Sequence, residues 1–171
     1  MKKVSALAII DTAIMPVIVI IGSKILAIFL VTLFFNIPWT FTNQTGYGFF
    51  FINFNNISDA FFVGSISDLI MILTTAVGFL WILFRSNYFR EDKIHPVLAA
   101  KLHKKGREGL ITSSENAYRQ SIVWLSLSWF TFLLILDDTL HLTTSQLTFG
   151  IAVVTTLGLT LTLLENSKTK R

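Results

Sequence analysis

The chain has 171 residues, 53% hydrophobic and 14% charged, with three histidines, no cysteine and a formal net charge of +4. A water-soluble domain carries about a quarter charged residues, so this composition, with a mean hydropathy of +0.66, belongs to a membrane protein. Disulfides, thiolate metal sites and cysteine nucleophiles are excluded.

The positive charge is unevenly placed. Of the 14 lysines and arginines, all but Lys24 fall at Lys2–Lys3, between Arg85 and Arg119, or at Lys168, Lys170 and Arg171. This is the positive-inside pattern of a multi-pass membrane protein, and it argues against a phosphate-binding face for nucleic acid.

Residues 1–35 open with two lysines and an apolar run that resembles a signal peptide. Asp11, Pro16 and Lys24 interrupt that run, and it is too long for a secretory core. The pattern predicts an uncleaved first span at about 13–35, with tilt or a kink near Pro16 absorbing the surplus length.

Residues 36–58 form an uncharged, aromatic outer loop with a turn signal at Gly46-Tyr47-Gly48. Trp39, Tyr47 and the phenylalanines suit the headgroup zone, so the loop is expected to lie on the membrane. Asn43-Gln-Thr45 and Asn56-Ile-Ser58 match the glycosylation pattern, a short motif of low specificity.

The second span is expected at about 59–84, with Ser58 as N-cap and Asp59 favourably placed on the helix dipole. Gly64, Asp68, Met71, Thr75 and Gly78 recur at steps of four and three, the seam of small and polar groups that helix packing in lipid requires. A basic cytoplasmic loop at 85–117 follows. Between Arg85 and Arg119 lie eight basic and four acidic side chains, and Val97–Lys105 reads as a short amphipathic helix between Pro96 and Gly106. Such a helix lies against anionic lipid headgroups.

Thr112-Ser-Ser-Glu115 has capping-box spacing, so a third helix begins there and its span is expected at about 118–138. Ser121, Trp124, Ser128, Thr131, Ile135 and Asp138 form its seam. A second capping box, Thr143-Thr-Ser-Gln146, follows two residues after His141 and predicts a tight antiparallel turn into a fourth span at about 147–164. Thr148, Ala152, Thr155, Leu159 and Thr162 share a face there. The expected fold is therefore all-α: one domain over 1–171, an integral membrane four-helix bundle of two antiparallel hairpins. Both termini face the cytoplasm, and the inner (plasma) membrane is the expected location.

Charges inside lipid cost about 2.5–3.5 kcal/mol each on insertion scales, so each asks for a reason. Counted from the outer helix ends, Lys24 lies about 18 Å deep and Asp68 about 10 Å. A lysine stem reaches across that difference, which predicts an intramembrane ion pair between Lys24 and Asp68. A proton relay would need further titratable groups, and Asp11 is the sole other candidate.

Asp59, Asp137, Asp138 and His141 all fall at the outer face, and helical spacing lets one aspartate share a face with the imidazole. Carboxylates beside an imidazole are a candidate metal site or general-base pair. Zinc would ordinarily want three protein ligands, and no second histidine reaches this depth. No span carries a mid-membrane histidine for haem, and phosphate-binding glycine loops and nucleophile elbows are absent.

Two function classes stay open. One is a non-enzymatic accessory or scaffold subunit that acts on anionic lipid and on a membrane-protein partner or a second copy. The other is a metal-dependent enzyme or ion-handling protein using the outer Asp/His cluster. No cofactor is implied.

Overall fold

Apolar runs of about 20 residues satisfy their backbone groups internally by forming helices, and the chain does so repeatedly. A computed structural model describes residues 14–41, 47–49, 52–107 and 110–168. Along them run α1 (Met15–Phe34), β1 (Trp39–Phe41), β2 (Tyr47–Phe49), β3 (Ile52–Phe54), α2 (Ile57–Tyr88), α3 (Pro96–Lys104), α4 (Ser114–Leu140) and α5 (Gln146–Lys168). Asp11, the Asn43–Thr45 sequon and Gly46 lie outside the described residues. Helix dominates, and α1, α2, α4 and α5 are each long and apolar enough to cross a membrane.

The centre is α2. Its 32 residues make a rod about 48 Å long that packs against α1, α4 and α5, while α4 also packs against α5. Trp124 of α4 lies over Gly78, where an added Cβ would fall 2.2 Å from the indole. Ser128 and Thr156 meet at 3.3 Å between α4 and α5. The fourth-helix seam holds at Thr148, Ala152 and Leu159, which are buried, but Thr156 is buried where Thr155 was expected.

Helix starts differ from the expected caps by one or two residues. Asn56, not Ser58, precedes α2, and its amide donates to Asp59 Oδ2 at 3.1 Å. Ser113, not Thr112, caps α4 by accepting the Asn116 N–H at 3.3 Å. Thr112 is occupied elsewhere: its N–H donates to the Phe89 carbonyl at 3.0 Å and its carbonyl accepts from Glu91 N–H at 3.1 Å. Ser145 caps α5 through Thr148 N–H at 3.1 Å.

Three helices end in the same Schellman geometry. The N–H groups of Ile37, Arg107 and Thr143 reach back to the carbonyls of Thr32, Leu102 and Asp138, closing α1, α3 and α4. Each motif needs one residue at positive φ, supplied by Asn36, Gly106 and Leu142. Asn and Gly tolerate that conformation; leucine at φ 56° carries strain of about 1–2 kcal/mol. The strained position is the turn between α4 and α5.

A small sheet, not expected from the sequence, adds to the mostly helical fold. Residues 39–54 contain a three-stranded sheet in the order β1-β3-β2, antiparallel throughout, with Trp39 opposite Phe54 and Tyr47 opposite the same residue. Alternation in β3 turns Ile52 and Phe54 inward, 3% and 2% exposed. They close over Ile28 and Val31 of α1 and Ala60 and Val63 of α2. A second apolar cluster, Ile20, Met71, Ile72, Ile135 and Ala152, joins all four long helices further along α2.

Two substitutions probe this packing. Gly78→Ala should lower stability by about 1–3 kcal/mol through overpacking against Trp124, read as a lower melting temperature in detergent. Leu142→Gly should raise stability by about 1 kcal/mol, since glycine relieves the positive-φ strain and returns part of it as chain entropy. An unchanged or lower melting point for the Leu142 variant would mean that the turn holds no strain.

Candidate functional site

Between the two apolar clusters lies a layer of buried charge. Lys24 sits midway along α1, one helical turn from Ile20 on one side and from Ile28 on the other. Its Nζ is 2.7 Å from Asp68 Oδ1 of α2 and donates to Asp138 Oδ2 of α4, also at 2.7 Å. Lys24 is 5% exposed, Asp68 fully buried, and the Asp138 side chain 21% exposed. Thr144, in the α4–α5 turn, donates its hydroxyl to Asp68 Oδ2. Of the fully buried carboxylate, Oδ2 accepts from Thr144 while Oδ1 meets the ammonium as an ion pair outside hydrogen-bond geometry, so its charge is answered by Lys24.

The turn is fastened to α2 by neighbouring contacts. Ser145 N–H donates to Ser65 Oγ at 2.9 Å, and Thr148 Oγ1 donates to the Ser65 carbonyl at 3.3 Å. Thr143 Oγ1 donates to the Asp138 carbonyl at 2.8 Å. The Schellman turn at Leu142 thus aims Thr144 at Asp68 while Asp138 reaches Lys24. One ammonium between two carboxylates leaves a formal charge of −1 if all three groups are ionised.

The sequence-level pair of Lys24 and Asp68 is therefore accompanied by a third partner that the sequence reading had assigned to the outer cluster. The turn meets α2 at Ser65 and Asp68, so α1 and α2 continue past the end of α4 by about eight residues, roughly 12 Å. Counting depth from the ends of α1 and α2 consequently overstated how far Lys24 and Asp68 lie below the α4–α5 turn. That stagger was not visible from span lengths alone.

The four residues expected at the outer face do not gather. Asp138 turns inward to Lys24. Asp137 and His141 stay exposed, with Nδ1 of His141 3.5 Å from Asp137 Oδ1 and 2.9 Å from the Asp137 carbonyl. Asp59 is held by Asn56 on its own helix. Among the described residues, no group of three or more His, Cys, Asp or Glu is arranged to hold a metal ion. Five cavities formed among those residues have no charged side chain in their walls.

At the other end, Arg85 ties the basic loop to α2, its Nε donating to the Leu110 carbonyl at 2.9 Å. In the loop, Arg90 grips Asp92 with two hydrogen bonds, its Nη2 donating to Oδ2 at 2.7 Å. That hydrogen bonding holds the exposed Asp92 carboxyl below the usual carboxylate range. Along α3, Val97 and Leu98 are exposed beside Lys101 and Lys104.

Comparison with known proteins adds no relative: no family model, curated protein or solved structure matches the chain.

The three-residue cluster makes a prediction that a simple pair would not. Lys24→Met should strand two carboxylates, and Asp68→Leu should leave Lys24 with Asp138 alone. Breaking a buried pair in this way typically costs about 3–5 kcal/mol. The double variant Lys24→Met/Asp68→Leu still strands Asp138, so recovery should be only partial. Adding Asp138→Asn should restore folded yield and melting temperature close to the original. Full recovery in the double variant would show that Asp138 is not a member.

Proposed function

We propose that the chain is a four-span integral membrane bundle of two hairpins that serves as a non-enzymatic accessory or scaffold subunit. Both termini and the basic loop face the cytoplasm, with the protein in the inner (plasma) membrane. The observation that carries this reading is the sealing of the charged layer. Ile28, Val31, Ala60 and Val63 lie on one side of Lys24, Asp68 and Asp138, and Ile20, Met71, Ile72 and Ile135 on the other. Charge held between two apolar layers fixes helix register and gives no route for a proton or ion across the bilayer.

Topology rests on side-chain chemistry. Asp137 and His141 are exposed and polar at one end of α4, and Tyr118 lies 19 residues away, about 28 Å along the helix, near the hydrocarbon thickness of a bilayer. Arg85 and Arg119 mark the opposite, basic end. There α3 lies against anionic headgroups, its exposed Val97 and Leu98 inserting while Lys101 and Lys104 meet phosphate.

Past the α4–α5 turn, the α1–α2 end presents Leu30, Leu33, Phe34, Phe35 and Phe62 to the surroundings, and no charge occurs from Ile25 to Ser58. An apolar, uncharged crest standing beyond the polar turn, and so beyond the hydrocarbon, fits an apolar face on the outer part of a membrane-protein partner. A second reading, an ion-handling protein, draws on one observation: Asp138 retains 21% exposure, which opens one edge of a net-negative cluster to the outside.

Three measurements separate these readings. Reporter fusions at Gly106 and after Arg171 should both report cytoplasmic; an outer signal at Gly106 would overturn the topology. Photo-crosslinkers at Leu33 and Phe62 should give one discrete protein adduct in cells, absent when the crosslinker is at Val154. Adducts to lipid alone at all three positions would remove the accessory reading. A stoichiometric metal in purified protein, lost in Asp138→Ala or His141→Ala, would establish the second class.

A further inference from the structure

We propose that the cavity between α2, α4 and α5 at their basic ends binds the hydroxylated headgroup of an inner-leaflet phospholipid, of the phosphoglycerol type. The inference rests on the membrane orientation proposed above. The cavity measures about 220 Å³ and is walled by Ser86 and Asn87 of α2, Tyr118 of α4 and Asn166 of α5, with Leu83 and Leu163 completing it. Ser121 also reaches the wall, but its hydroxyl donates to the Ala117 carbonyl at 2.8 Å.

The four other polar side chains make no hydrogen bond with the described residues. Ser86 is only 8% exposed, and its hydroxyl, with no protein partner among the described residues, opens onto the cavity. Four polar side chains from three helices therefore converge on one space with their hydrogen-bonding capacity left for a ligand.

The wall chemistry selects the ligand. Hydroxyl, phenol and amide groups donate and accept in turn, and none carries charge. They match vicinal hydroxyls, which also do both. An ethanolamine ammonium only donates, a choline head offers no N–H or O–H at all, and a serine head brings an ammonium and a carboxylate that an uncharged wall leaves without counter-charge. The space equals that of about seven waters, room for a three-carbon polyol and its phosphate. The flanks add the anion preference: Arg85 precedes Ser86 and Arg119 follows Tyr118, against the single Glu165 beside Asn166. Leucines 83 and 163 continue the wall toward the apolar part of the spans, where acyl chains run.

The full chain in detergent, offered equal phosphatidylglycerol, phosphatidylethanolamine and phosphatidylserine with identical acyl chains, tests this by native mass spectrometry. One phosphatidylglycerol should be retained in preference to both others. Tyr118→Phe, which removes a single hydroxyl at a half-exposed position, should lower that retention about fivefold, the loss of one net hydrogen bond. Asn166→Leu should abolish the preference at an unchanged melting temperature, and Val154→Ala should leave it intact. Equal retention of phosphatidylserine would assign the effect to the basic loop's charge and overturn the site. Equal retention of all three lipids, or a preference surviving both variants, would leave the cavity to water alone. A parallel reconstitution into nanodiscs separates the two levels: a chain that does not insert would defeat the membrane reading itself, a different result from lost selectivity.

Discussion

One ammonium holds the two halves of this molecule in register. Lys24 comes from α1, Asp68 from α2, Asp138 from α4, and Thr144 from the turn that begins α5. Every long helix or its leading turn therefore contributes to one polar layer. In an apolar solvent, helices gain little from hydrophobic association with each other, so packing and polar contacts must choose among many near-equivalent arrangements. A buried charge with two partners penalises each alternative register strongly, because any slip strands it. The surrounding features serve that layer. Strain at Leu142 aims Thr144, the Ser65 contacts hold the turn, and Gly78 lets Trp124 bring α4 close to α2.

The sheet answers a geometric consequence of the same arrangement. The α4–α5 hairpin stops at the charged layer while α1 and α2 run on, which leaves their inner faces uncovered. Ile52 and Phe54 of β3 cover Ile28, Val31 and Val63 there. The cover laid over α1 and α2 on that side of Lys24 is thus strand, and on the other side helix. The outer aromatics are accordingly divided between a core role and an exposed crest.

The four long helices were legible because length and apolar content decide them almost alone. So was the nearness of Lys24 and Asp68, since each was the nearest opposite charge on an adjacent helix. Asp138 was misplaced because adjacent Asp137 and Asp138 look equivalent in sequence. Only the helical phase separates them, and Asp138 was already the last member of the Ser121–Asp138 seam. That periodicity was the usable signal. The sheet was hidden because its strands are three residues long; the alternation in Ile52-Asn53-Phe54-Asn55 was the one trace. The cavity beside the basic loop gathers residues from three helices, and nothing in the linear order brings Ser86 to Asn166.

Distance measurement on Lys24 tests the central claim most directly. With ¹⁵N at Lys24 Nζ and ¹³C at aspartate Cγ, solid-state NMR of the protein in bilayers should find two carboxyl carbons within about 4 Å, as close N···O contacts require. Asp68→Asn and Asp138→Asn should each shift one of the two signals. A single close carboxyl, belonging to Asp68 with Asp138 free in water, would contradict the account and reduce the layer to an isolated pair.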